Sequence, residues 1–169
     1  VVLVNNAGTV GDINHVGAID NDQIIACYNV NLIAPAIIVN NFVAAYKGLN
    51  NEKLIVNISS GAGKSVIDGW SAYCSAKAGV DMFSQVASEE MNIGKSNFKV
   101  LSLAPGIIDT EMQVQIRNAK QEGFSNLERF IEYKQNGDLA SADETAEKVC
   151  RFLTEESLQN EVICSVRDL

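Results

Sequence analysis

Tyr73 and Lys77 stand four residues apart, and Ser60 precedes the tyrosine by thirteen positions. On a helix, a spacing of four stacks two side chains on one face. A phenol is a poor acid near neutrality, with an unperturbed pKa of about 10. An ammonium held close favours the phenolate and is expected to lower that value. The tyrosine can then donate or accept a proton at a working pH. A serine hydroxyl facing the phenol would hold a carbonyl oxygen in the same hydrogen-bonding pocket.

Three elements must position these groups. An apolar run at 54–58 reads as a strand over 54–59 that delivers Ser60 to its end. Residues 61–70 form a glycine-rich loop suited to the rim of a site. The pattern at 71–92 predicts a helix that carries Tyr73 and Lys77, with Ala76, Val80, Phe83, Val86 and Ala87 on its other faces. Trp70, at the end of the loop, fits either a wall of the substrate pocket or an interface anchor.

The rest of the chain supplies a frame for them. Residues 1–4 form a strand so apolar that it belongs inside a parallel sheet with neighbours on both sides. The chain therefore reads as beginning in mid-domain. Asn5-Asn6-Ala7-Gly8 follows at the carboxyl end of that strand, where open parallel sheets bind ligands. Small residues there allow close approach, and the Asn amides can bridge to the next strand. Residues 11–17 are a loop, and its His15, the sole histidine, reads as a surface or structural residue. Asp20 and Asp22 open a helix over 20–47. Its apolar stripe includes Ile24, Tyr28, Leu32, Val39 and Val43. Pro35 should kink it or loosen its hydrogen bonds. Asn31 interrupts the stripe, and a buried amide needs partners. A strand at 98–104 leads into Pro105-Gly106, after which backbone amides can face a ligand. Residues 111–137 read as a helix-turn-helix outside the sheet, so 110–139 is expected to serve as a substrate lid. Ser141 and Glu144 form a capping-box start for a helix to about 154, followed by a last strand at 161–166.

Composition narrows the classes. The 169 residues fit one domain or part of one, and the net charge of −8 argues against nucleic acid and anionic membranes. No run approaches the roughly 18 apolar residues of a membrane span, and no signal peptide is visible. The four cysteines have no metal or redox spacing and read as small buried hydrophobes in a reducing, cytoplasmic setting. Cys74, beside Tyr73, is expected to be open to thiol reagents. No metal is expected.

Taken together, Ser60, Tyr73-x-x-x-Lys77, Asn5-Asn6-Ala7-Gly8 and Pro105-Gly106-x-x-x-Thr110 resemble the short-chain dehydrogenase/reductase family. The resemblance implies an α/β fold with a Rossmann-like doubly wound parallel sheet, here its C-terminal two-thirds, from the fourth strand to the last. It implies catalytic roles for Asn31, Ser60, Tyr73 and Lys77. Asn31 lies in a segment similar to the family helix whose Asn holds a water beside the lysine. Cofactor contacts would come from Asn5, Ala7, Gly8, Tyr73, Lys77, Pro105, Gly106, Ile108 and Thr110. The cofactor implied is NADP, with NAD possible. A homodimer through helices 20–47 and 71–92 is likewise implied by resemblance.

The family's glycine-rich phosphate loop is not among these residues, so the stretch in hand is expected to bind a dinucleotide poorly or not at all. Met112, Gln113, Arg117, Phe130, Lys134 and the Gly137-Asp138-Leu139 turn look most like the sepiapterin reductase and benzil reductase branch. Sepiapterin reductases carry an acidic residue in the last strand, where alignment puts Ser165. The expected activity is an NADPH-dependent carbonyl or 1,2-dicarbonyl reductase. Sepiapterin reduction proper, or a non-catalytic dimeric relative, are the alternatives.

Overall fold

The apolar runs become neighbouring parallel strands. The computed structural model describes residues 1–155 and 161–168. Strands β1 (Val2–Asn5), β2 (Lys53–Ile58), β3 (Phe98–Ala104) and β4 (Ile163–Ser165) form one sheet in that order. The register aligns Leu3 with Ile55 and Val100, and Val4 with Val56 and Leu101. Period-two alternation sends these two rows to opposite faces.

Helices cover both faces, as a doubly wound sheet requires. On one side lie α1 (Asn21–Tyr28), a wide turn at Asn29–Ile33, α2 (Ala34–Tyr46) and α3 (Ser71–Ile93). There Val39 and Ala87 pack with Ile55, Phe98 and Val100. On the other side α6 (Ala142–Thr154) buries Phe152 against Val56, Leu101 and Leu103. The Ser141 capping box is formed, with both reciprocal bonds present. Between β3 and α6, two short helices, α4 (Glu111–Arg117) and α5 (Leu127–Gln135), stand outside the sheet.

Three expectations change. Among the described residues β1 pairs only with β2, and Val2 and Val4 are 52% and 42% exposed. The last strand is shorter than 161–166 and gives way to a tight turn at Val166–Asp168. Helix 20–47 is indeed one body from Asn21 to Tyr46. Because its Asn residues do not break it, it reaches a mean hydropathy of 1.4 over an 18-residue window. By length and composition alone it could cross a membrane, although no single run of letters suggested so. Its inner face buries Cys27, Asn31, Pro35 and Val39, the first two against the loop after β1 and Val39 against the sheet. Its outer face leaves Ile25, Ile33, Ile37 and Ile38 half exposed.

Pro35 acts where expected. It offers no N–H, so the usual bond to the Asn31 carbonyl cannot form. The helix widens just upstream, with the Ala34 amide donating to Asn29, five residues back. Such wide turns recur at functional sites.

Phe152 is fully buried between α6 and the sheet. Phe152→Ala should cost about 3–5 kcal/mol by cavity formation, seen as a lower midpoint in urea. An unchanged midpoint would mean that α6 is not part of the cooperative core.

Candidate active site

The carboxyl ends of β1, β2 and β3 share one rim, and α3 runs beneath it. Ser60 leaves β2 extended and caps a short tight helix at Gly61–Lys64, where the Ala62 amide donates to Ser60 Oγ at 3.2 Å. That bond fixes the oxygen on the side of the loop that faces Tyr73, whose ionised form the Ser60 hydroxyl favours. Tyr73 and Lys77 are 6% and 4% exposed, so both lie on the buried face of α3. Lys77 Nζ donates to the Ile58 carbonyl at 2.7 Å and sits 5.8 Å from the centre of the Tyr73 ring.

Asn31 joins them from the wide turn. Its amide Nδ2 donates to the carbonyls of Thr9 and Cys27 at 2.8 and 2.9 Å, and its Oδ1 accepts from the Thr9 amide at 3.2 Å. The buried amide thus fastens the loop after β1 to the helix. Gly8 shows how close the groups are. A Cβ there would stand 3.2 Å from Asn31 Oδ1 and 3.7 Å from Lys77 Nζ. Asn31 and Lys77 therefore meet beside Gly8, with Ser60 and Tyr73 on the same rim.

The electrostatics differ from expectation. Burial raises the Tyr73 phenol above its ordinary value, and the Ser60 hydrogen bond only partly offsets this. The expected lowering by Lys77 does not appear. The ammonium is engaged by Ile58 and does not touch the phenol oxygen, so desolvation prevails. Burial also pulls Lys77 down to about 8, opposed chiefly by the charge of Asp81. Burial raises the Cys74 thiol, which speaks against a reactive thiolate there. Cys150, in contrast, is exposed, against the reading of all four cysteines as buried.

The remaining candidate positions frame the rim. Asn5 uses one amide N–H of Nδ2 to donate to Asn57 Oδ1 at 2.8 Å and so bridges the strands. Ala7 and Gly8 are exposed beyond it. After β3, Pro105 and Gly106 lead to a parallel bridge between Ile108 and Ala140. That bridge uses the Ile107 carbonyl, at 3.0 Å, and the Asp109 amide, at 2.9 Å. Alternation turns the backbone groups of Ile108 itself to the opposite side. The Thr110 hydroxyl donates weakly to the Ile108 carbonyl at 3.4 Å.

Segment 110–139 is fastened rather than loose. Lys134 bonds Asp109 at 2.6 Å near its base. Trp70 is a core residue, not an interface anchor: it stacks on Phe124 with ring centres 5.4 Å apart and meets Tyr73 edge-on at 5.6 Å. At the tip, Asp68 accepts from the Ser125 amide, the Ser125 hydroxyl and Asn126 at 2.7, 2.8 and 2.9 Å, with His15 at 3.3 Å. His15 therefore has an acidic neighbour, from far along the chain. The sequence reading missed Asp68, Asp81, Thr9 and the polar row Asn57, Ser84 and Ser102. Only Asp81 had a local signal, at helical spacing from Lys77.

The comparisons with known proteins now bear on the site. The short chain dehydrogenase family profile matches residues 1–121. The chain belongs to the short-chain dehydrogenase/reductase family. A benzil reductase ((S)-benzoin forming) of Bacillus cereus is 44% identical over 163 residues, covering 95% of this chain and 65% of that protein. A sepiapterin reductase of Meriones unguiculatus is 32% identical, covering 95% of this chain and 60% of that protein. A solved short chain dehydrogenase/reductase from Saccharomyces cerevisiae superposes with a TM-score of 0.81 at 26% identity, covering 99% of this chain and 66% of that one. The chain thus spans about two-thirds, or slightly less, of the relatives it matches.

The four bonds to Asp68 hold its carboxyl down to about 2, led by the Ser125 amide. A depressed acid stabilises the fold above its unfolded value, near 3.9, and that contribution is lost as pH falls through the folded value. Asp68→Asn should therefore lower the urea midpoint at pH 7, and the gap from the parent should close between about pH 4 and pH 2. An equal gap at every pH would remove the carboxylate from this role.

Proposed function

We propose that the whole protein is a nicotinamide-dependent carbonyl reductase, acting on ketones with a preference for 1,2-dicarbonyls. The observation that carries this is the placement of buried Tyr73 and Lys77 beside half-buried Ser60 on one rim, with Ser60 Oγ fixed by the Ala62 amide. The 44% identity to a benzil reductase supports the dicarbonyl preference.

The residues on the rim fit the nicotinamide half of such a cofactor. Gly8 leaves the space that a Cβ would fill beside Lys77, and Ile108 turns its backbone groups away from its bridge partner. Lys77 would hold the ribose, while Ile108 and Thr110 would hold the carboxamide side, with Ala7, Gly8, Pro105 and Gly106 as close backbone walls. When bound, the cofactor supplies a hydride to the carbonyl carbon. NADP is the preferred form in this reading.

The chain's own residues do the rest. Ser60 donates a hydrogen bond to the carbonyl oxygen and orients it. As negative charge grows there, the Tyr73 O–H bond breaks and its proton passes to that oxygen. A raised phenol suits this direction, because the proton is in place before the substrate arrives, and an alkoxide is far more basic than a phenolate. Lys77 then stabilises the phenolate that forms. Asn31 would hold a relay water that returns a proton to Tyr73.

A pterin substrate is a second reading, supported by the 32% identity to a sepiapterin reductase. Ser165 lines the cleft next to Ser60 as a hydroxyl, not a carboxylate, and this favours the simpler carbonyl. We further propose a homodimer through α1–α2 and α3, whose outer faces expose Ile25, Ile37, Met82 and Val86. Light scattering of the whole protein should give twice the chain mass, whereas a monomer at micromolar concentration removes the dimer.

In the whole protein, Tyr73→Phe should reduce NADPH oxidation with benzil by at least about 100-fold. NADPH affinity, followed by fluorescence, should stay near that of the parent. Full activity in the variant would take the acid role from Tyr73.

A further inference from the structure

One carboxylate lies on the buried face of α3 and has no part in the chemistry above. Asp81 is one helical turn beyond Lys77 and 7% exposed. Ser102, on β3 and fully buried, donates its hydroxyl to Asp81 Oδ1 at 2.6 Å. The other oxygen lies against the serine loop. A Cβ on Gly63 would stand 3.0 Å from Asp81 Oδ2, and 3.0 Å from the Lys77 carbonyl carbon. Only a residue without a side chain lets the loop that carries Ser60 rest directly on this turn of α3. Asp81 also lines a cleft of about 250 Å³ together with Ser59, Ser60, Lys64 and Ser165.

A buried carboxylate is costly unless something needs its charge. The nearby group that does is Lys77, an ammonium whose carbonyl partner, Ile58, is neutral. We propose that Asp81, held by Ser102 and fitted under Gly63, is a positioning residue that keeps Lys77 charged and seated at the carboxyl end of β2. This rests on the catalytic reading of Tyr73 and Lys77. The opposing influences on Lys77, burial against the charge of Asp81, agree with the geometry.

Other groups face this pair. The Cys27 thiol approaches from α1 and Tyr73 from the preceding turn of α3, and Lys64 and Cys164 line the same cleft as Asp81. None of them replaces a carboxylate one turn from the lysine. Without Asp81, Lys77 loses its proton at lower pH. The stabilised phenolate and the ribose contact then fail on the alkaline side first.

The test uses the whole protein with NADPH and benzil. Asp81→Asn keeps the shape and removes the charge. Its kcat should be near the parent's at pH 6, fall about tenfold below it at pH 8.5, and show an alkaline limb displaced by about one pH unit to the acid side. Ser102→Ala should give a smaller displacement in the same direction, and none when added to Asp81→Asn, since it acts through that carboxylate. A uniform loss at all pH values, or an unmoved limb, overturns the inference. Lys77→Ala separates the layers: if it remains active, the catalytic reading itself is wrong. If it is dead while Asp81→Asn keeps the parent profile, only the role of Asp81 falls.

Discussion

Two ionisable side chains share one dry stretch of helix, and the rest of the structure answers to that constraint. Tyr73 and Lys77 are removed from water by the same packing that builds the sheet's helical layer. Burial favours the uncharged form of each. It secures the proton on the phenol and weakens its hold on the lysine. For a proton donor the first effect is useful. The second requires compensation, which the fold provides through the Ile58 carbonyl and the charge of Asp81.

That compensation is part of a wider polar layer beneath the rim. Asn5 donates to Asn57, Asn57 donates to Ser84, and Ser84 donates to the Val80 carbonyl, at 2.8, 2.9 and 2.7 Å. Asn5, Asn57 and Ser102 are in register across three strands, all facing α3. Buried polar groups of this kind are tolerable only when partnered. Once partnered, they fix the height and rotation of α3 on the sheet. Apolar contacts carry no such direction, and proton transfer depends on the placement of the donor.

Much of this was legible in the letters. The four-residue spacing placed Tyr73 and Lys77 on one face, and the short apolar runs placed Ser60, Gly8 and Pro105 at strand ends. Asn31 announced itself as a polar break in an apolar stripe. Pro35 announced the wide turn beside it. What stayed hidden depends on contacts distant in sequence. Asp68 meets Ser125 and His15 only because three loops converge at the tip of segment 110–139. Asn57 gave no signal inside its apolar strand, since its partners lie 52 and 27 residues away. The phenol's direction was misjudged for a related reason. Spacing reveals which groups are neighbours, but not how much water is excluded or which neighbour has already claimed the ammonium.

The central claim is therefore that exclusion of water, and not the lysine, governs the resting phenol. Titration of Tyr73 by NMR, using tyrosine labelled with carbon-13 at the ring carbon bearing the hydroxyl, measures this directly. The account predicts a Tyr73 midpoint above the ordinary phenol value of about 10. A midpoint well below that value would contradict it, and would return to Lys77 the control that the structure assigns to burial.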